Sequence, residues 1–268
     1  MVNLKKYALI DDFSHHKEEF LRSYEIIRLH TTLENKMTLN LCSGTGLHTG
    51  FLVRNGAQVI GVDLLDYETL WGGNFKEKLM GIFQDNGIPF DSTKCQFIRM
   101  DAECLLFRDE LFDFVYCVNA FEHIQDPSNA LLEIWRVLKP GGFAFVQFDP
   151  LYYCDTGSHM FDFVSEPWGH LVHNESMFVE KLKTASCPPE MINDFKYGLN
   201  RKSKGYFVKL FNIFTRGETQ IFKELEFNIW SGTTDPIFLT HENFSNLKKI
   251  ISEDDLLCRG MGYLLKKI

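Results

Sequence analysis

Long apolar runs are missing from this 268-residue chain: no stretch reaches the roughly 20 residues of a membrane span, and the opening Met-Val-Asn-Leu-Lys-Lys has no apolar segment behind its charges. A cytoplasmic protein with no anchor is expected. Paired cysteines are missing too. The seven cysteines are odd in number, form no C-x-x-C and sit mostly inside apolar segments, which argues against a disulfide framework and for reduced, buried thiols. Positive charge is short, 28 Lys and Arg against 36 Asp and Glu for a net charge of -8, which argues against nucleic-acid or anionic-membrane binding by charge. Internal repeats and low-complexity tracts are absent. Apolar residues at 45 % and charged residues at 24 % describe an ordinary globular chain, of a length that suits one elaborated fold. A small neutral or amphipathic partner fits best.

What is present is an alternation. From about residue 37, short apolar runs alternate with helical periods, the pattern of a parallel sheet covered on both faces. Strands are expected at 38–42, 59–63, 96–100, 112–118 and 143–148. Asn74 and Glu77 form a capping pair for a helix whose apolar face is Phe75, Leu79, Ile82 and Phe83. Asp126 and Pro127 start another, with Leu131, Ile134, Trp135 and Leu138 on one face, which Lys139, Pro140, Gly141 and Gly142 close. Beyond Asp149 the rhythm breaks for about 75 residues, longer than an ordinary connection and so an inserted subdomain. It resumes near Phe227, with a helix at 243–252 and a last strand at 262–268. Ahead of the sheet, Phe20, Leu21, Tyr24 and Ile27 make an amphipathic stripe, either packed on the sheet or serving as a lid. The expected fold class is α/β, a doubly wound, mostly parallel, seven-stranded Rossmann-like sheet. Its expected parts are a helical lid at 1–36, a core at 37–149, the insertion at 150–225 and a completing segment at 226–268.

The first strand turns through Ser43, Gly44, Thr45 and Gly46 into a helix, a glycine-rich turn that lets backbone N–H groups meet a polar ligand at close range. Asp63 ends the second strand, where a carboxylate can accept both hydroxyls of a ribose. The pair reads as adenosine binding. The dehydrogenase fingerprint G-x-G-x-x-G fails, because its third position is Thr49 and the next glycine is Gly50, which disfavours an NAD-dependent oxidoreductase.

Downstream stand Phe112-Asp113-Phe114-Val115, Asn119-Ala120-Phe121-Glu122-His123-Ile124 and Arg136-Val137-Leu138-Lys139-Pro140-Gly141-Gly142. With the loop, these resemble the class I S-adenosylmethionine-dependent methyltransferases, in the branch similar to the ubiquinone and menaquinone methyltransferases. The resemblance covers about residues 38–148. It implies S-adenosylmethionine as cofactor, its methionine end held by Ser43, Gly44, Thr45 and Gly46, and its ribose by Asp63. It further implies that Leu64 packs on the adenine, that Asp101 and Ala102 meet the adenine's amino edge, and that Asn119 lines the methionine side. Asn40 and Cys42 depart from the acidic residue and first glycine usual in the family, and weakened binding is expected of them.

Methyl transfer from a sulfonium is an in-line displacement, and an oxygen acceptor usually needs a base to take its proton. His159 and His170, in the aromatic segment after the fifth strand, are the candidate bases, with Asp162 as orienter. Glu122 and His123 rank second. No metal is expected: His159, His170 and His173 match no compact ligand motif. Arg201, Lys202 and Lys204 read as a solvated basic loop or as a seat for an acidic acceptor. The expected function is methyl transfer to a small-molecule acceptor, at oxygen by preference, with carbon, nitrogen or a non-catalytic interaction protein on the same fold as alternatives.

Overall fold

The computed structural model describes residues 13–70, 72–88 and 91–268. The first twelve residues of the expected lid and its charged start lie outside these. One sheet holds seven strands: β1 (Met37–Leu41), β2 (Gln58–Asp63), β3 (Cys95–Arg99), β4 (Phe112–Val118), β5 (Leu138–Phe148), β6 (Phe222–Ser231) and β7 (Cys258–Lys267). Their order is β3-β2-β1-β4-β5-β7-β6; β1 to β5 run parallel, and β7 runs antiparallel to both of its neighbours. The order reverses between β1 and β4, so the loops leaving those two strands diverge and open a crevice at their carboxyl ends.

The helices are α1 (Phe13–Ile27), α2 (Leu47–Arg54), α3 (Tyr67–Leu70), α4 (Phe75–Asp85), α5 (Pro127–Val137), α6 (Gly169–Val172), α7 (Glu175–Thr184), α8 (Pro189–Asn193), α9 (Lys204–Thr215), α10 (Glu242–Leu247) and α11 (Glu253–Leu257). Side-chain alternation along the strands assigns each helix a face. On β4, Phe114, Tyr116 and Val118 meet Phe20 of α1, Phe51 of α2 and Phe83 of α4, whereas Val115 and Cys117 belong to the core that holds Ile134 of α5 and Phe211 of α9. Burial on both faces is why the central strands read as nearly unbroken apolar runs.

Several local expectations change. Asn74 precedes α4 but its side chain makes no capping bond, whereas Asp126 caps α5 by accepting from the N–H groups of Ser128 and Asn129 at 3.1 Å. Strand β5 begins at Leu138: a register shift opposite Phe112 and Phe114 lets the 139–142 run pass as a bulge, secured by Lys139 on Asp113 at 2.8 Å. The expected helix at 243–252 stops at Leu247 as α10, and α11 begins only after Ser252. Helix α1 buries Phe20 and Ile27 as expected but turns Leu21 outward and polar residues inward. Leu21 is 47 % exposed while Glu19 and Ser23 are buried, and Ser23 Oγ bonds the Tyr116 hydroxyl at 2.9 Å.

Between β5 and β6 the chain builds two small cores. Met160, Phe178, Leu182 and Phe195 form one; Trp168 joins Phe244, Leu247 and Leu256 in the other, tying the segment to α10 and α11. Helix α9, which the sequence groups with the insertion, packs Phe207, Leu210, Phe211 and Phe214 into the main core. Among the described residues no helix is long and apolar enough to cross a membrane.

Candidate cofactor and acceptor site

The loop after β1 is built from bonds that use up its own polar groups in a defined way. The Ser43 N–H donates to the Val62 carbonyl at 2.8 Å, and the Gly46 N–H closes the turn on the Ser43 carbonyl at 2.9 Å. Gly44, at φ 51°, donates its N–H to Asp63 Oδ2 at 2.9 Å, and the Leu65 N–H donates to Oδ1 at 3.0 Å. The end of β2 and the glycine turn are thus one unit. Burial raises the Asp63 pKa while these N–H bonds oppose it, leaving a net upward shift. A side chain added at Gly44 would find only the Tyr67 hydroxyl, at 3.9 Å; at Gly46, φ 77°, it would meet Leu79, Phe97 and Phe75 at 3.0–3.1 Å. Gly44 therefore leaves room for a ligand, and Gly46 lets α4 and β3 pack beneath the turn. Asn40, at the family's acidic position, donates from Nδ2 to Thr49 Oγ1 at 2.8 Å and ties β1 to α2. Cys42 holds φ 56°, a left-handed backbone that glycine adopts without strain.

Leu64, 60 % exposed, stands next to Asp63 on the open side, its carbonyl accepting from Arg99 Nε at 2.9 Å. Asp101 is exposed and Ala102 buried, in a turn where Asp101 Oδ1 accepts from the Glu103 N–H at 2.9 Å. Asn119, just past β4 at φ 54°, donates its N–H to the Gln147 carbonyl at 2.8 Å and its Nδ2 to Glu19 Oε1 at 2.8 Å. Its Oδ1 is buried with no hydrogen-bond partner. That orphaned acceptor, the space above Gly44 and the carboxylate of Asp63 suit the amino group, tail and ribose of S-adenosylmethionine, so the residues present fit the cofactor.

A cavity of about 660 Å³ adjoins this end of the sheet, lined by His15, Glu19 and Arg22 of α1, Gln147 and Asp149 at the end of β5, and Trp230 of β6. A larger groove of about 880 Å³ lies between α9 and β6, and none of the expected cofactor residues lines it. The segment after β5 places His159 beside Glu122 and His123, with donor atoms of the three within 4.8 Å of one another. His159 Nε2 must donate to the Pro150 carbonyl, at 3.0 Å, because a carbonyl only accepts; this leaves Nδ1 as the ring's acceptor. Burial and the neighbouring His123 push its pKa down to about 3. Glu122 is buried, its pKa driven well up by burial and by the Asp149 and Glu19 charges.

His170 sits elsewhere. Its Nε2 donates to the Tyr152 carbonyl at 2.6 Å, its ring lies edge-on to Tyr152 and Phe178, and burial lowers its pKa to about 4. Asp162 is exposed, and the orienting groups are the two carbonyls instead. His173 bonds Glu166 at 2.9 Å, apart from the other two. Arg201 is no free anion seat: it holds Glu175 at 2.8 Å and lies over the Tyr152 ring. Sequence reading took α1 as packing or a lid and missed His16 and Glu19 as site residues. Its signal was present, His16 and Glu19 one helical turn apart, with a carboxylate on an otherwise apolar face.

A sheet with this strand order and a reversed last strand, a glycine turn after β1 and an acid ending β2 defines the class I S-adenosylmethionine-dependent methyltransferases. The chain has the fold of that class, and residues 39–146 match the family described as a methyltransferase domain. Over 122 residues it is 28 % identical to the ubiquinone biosynthesis O-methyltransferase of Methylococcus capsulatus, covering 45 % of this chain and 46 % of that protein. It is 31 % identical over 116 residues to a sterol 4-C-methyltransferase of Caenorhabditis elegans, covering 43 % and 31 %. The chain thus spans less than half the length of these curated relatives. Among solved structures, a protein of Galdieria sulphuraria provisionally assigned as a sarcosine dimethylglycine methyltransferase superposes with a TM-score of 0.56 at 14 % identity, covering 97 % of this chain and 90 % of that one. An S-adenosylmethionine-dependent methyltransferase of Mesorhizobium loti gives 0.50 at 14 %, covering 91 % and 96 %. At such identities the likeness concerns the fold.

Proposed function

We propose that this protein transfers a methyl group from S-adenosylmethionine to a hydroxyl oxygen of a small molecule. One observation carries the reading: a glycine turn bonded to Asp63 and a segment bearing a neutral, tautomer-fixed His159 lie at the same end of the sheet. When bound, the cofactor supplies an electrophilic methyl on a sulfonium. Asp63 accepts the ribose hydroxyls, Asn119 Oδ1 accepts from the amino group, and Ser43, Gly44, Thr45 and Gly46 surround the methionine end. Leu64 covers the adenine, with Asp101 and Ala102 at its edge. His159, as its neutral imidazole, takes the acceptor's proton, and His170 holds the Tyr152 backbone that shapes the same segment. The relatives of the ubiquinone pathway support oxygen as the acceptor. Carbon is the second reading, favoured by the sterol 4-C-methyltransferase relative and by apolar Ile229 and Trp230 on the cavity wall. The absence of disulfides among the described cysteines suits a reducing cytosol.

The test is a methyl-transfer screen of phenolic and sterol acceptors with labelled S-adenosylmethionine, the product bond read by NMR. An O-methyl product supports the reading. A C-methyl product alone promotes the second, and no transfer by a folded protein that binds the cofactor sinks both.

A further inference from the structure

We propose that His16, Glu19 and His48 form a binding site for one divalent transition-metal ion of the zinc type, with three protein ligands and one open position. This inference does not depend on the acceptor. Glu19 Oε2 lies 3.2 Å from His48 Nε2 and 3.8 Å from His16 Nδ1, and the three donor atoms fall within 4.8 Å of one another. Metal–ligand bonds of about 2.0–2.1 Å place tetrahedral ligands about 3.4 Å apart, so both spacings sit close to the edge of such a polyhedron.

An ordinary ion pair between Glu19 and His48 explains less. It serves His48 at 3.2 Å but leaves the buried His16 Nδ1 at 3.8 Å from the same oxygen, beyond hydrogen-bond reach. Three buried donor atoms that meet only one another, none in good hydrogen-bond geometry, are costly unless something binds them together. Glu19 is 5 % exposed, and its other oxygen is held by Asn119 Nδ2 at 2.8 Å, the outer-shell bond that fixes which oxygen faces the histidines. Tyr116 stands edge-on to the His48 ring at 5.5 Å, and Phe20 at 6.4 Å completes an apolar shell. Two imidazoles with one carboxylate select zinc, cobalt, nickel or iron over magnesium and calcium, which prefer oxygen throughout.

The position gives such an ion two consequences. His16 and Glu19 belong to α1 and His48 to the second residue of α2, so the ion clips α1 onto the turn that begins at Ser43. Glu19 also lines the 660 Å³ cavity, which puts the site at the cavity's wall.

The experiment uses the untagged full chain, stripped with chelator and titrated with cobalt(II) chloride and then zinc chloride. The expected result is one equivalent of cobalt with visible bands of a four- or five-coordinate ion, displaced by zinc, and a rise in Tm with zinc. His48→Ala and His16→Ala should each weaken binding by at least about 100-fold, since loss of an outer-shell partner alone costs 10–100-fold. His16 is the more exposed of the two histidines, so its variant keeps the test valid if His48→Ala does not fold. Glu122→Gln, in the second cluster, should leave uptake unchanged. Absence of stoichiometric uptake, uptake indifferent to both histidine variants, or uptake lost in Glu122→Gln alone would each overturn the site.

Discussion

The two sides of the crevice are built by different physics. On the cofactor side, the turn after β1 and the end of β2 are locked by backbone groups: Val62 O, Ser43 O, and the N–H groups of Gly44 and Leu65 on Asp63. On the acceptor side, position is set by side chains that travel far along the chain, with α1 reaching Asn119 and His48 and the segment after β5 reaching Glu122 and His123. Backbone geometry repeats wherever the loop sequence repeats, so cofactor binding is shared widely. Long-range side-chain placement varies freely, so the acceptor is where members of the class differ.

The sharpest way to separate the two sides is His159→Ala. It should lower kcat by about 100- to 10,000-fold while the S-adenosylmethionine Kd stays put, the usual scale for removing a general base; a normal kcat in steady-state assays contradicts its role. Next comes pH. His170 is neutral in the folded chain down to about pH 4, whereas the unfolded chain protonates it near 6.5, so the unfolded state binds more protons between those values. Stability is therefore full above pH 6.5 and falls as pH drops toward 4, by at most about 3 kcal/mol for this residue. His170→Phe should flatten that part of a urea-denaturation pH series; an unaltered slope removes His170 as its cause. His159 adds a like loss that continues to about pH 3.

On the cofactor side, Asp63→Ala should weaken S-adenosylmethionine by about 2 kcal/mol, close to thirtyfold, the scale of hydrogen bonds to a charged group. Unchanged calorimetric affinity would refute the ribose role. Smallest is Cys42→Gly: relief of the left-handed backbone should stabilise by about 1 kcal/mol, partly offset by the looser unfolded chain, with a slightly tighter cofactor Kd. A drop in Tm would show that the Cys42 side chain contributes more than its backbone costs.

The sheet was legible in the sequence because its strands are buried on both faces and announce themselves as apolar runs, and because Asp126, Pro127 and the glycine turn mark element ends. Strand β5 hid its first residues, since a bulge through Gly141 and Gly142 looks like a helix stop. The buried polar flank of α1 was hidden for a stronger reason. Glu19 and Ser23 are polar residues that bury only because Asn119, His48 and Tyr116, about 25 to 100 positions away, satisfy or face them. No local period encodes that. Likewise Asp162 looked like a partner for His159 by proximity in sequence, whereas the carbonyl of Pro150 does the orienting.

The most direct measurement is calorimetric titration of the full chain with S-adenosylmethionine and with its demethylated product, with NAD as control. Binding of both near micromolar, about -8 kcal/mol, with no response to NAD is the expected result. A folded protein that binds neither, or binds NAD alone, would contradict the claim that the Gly44 turn and Asp63 form a working cofactor site.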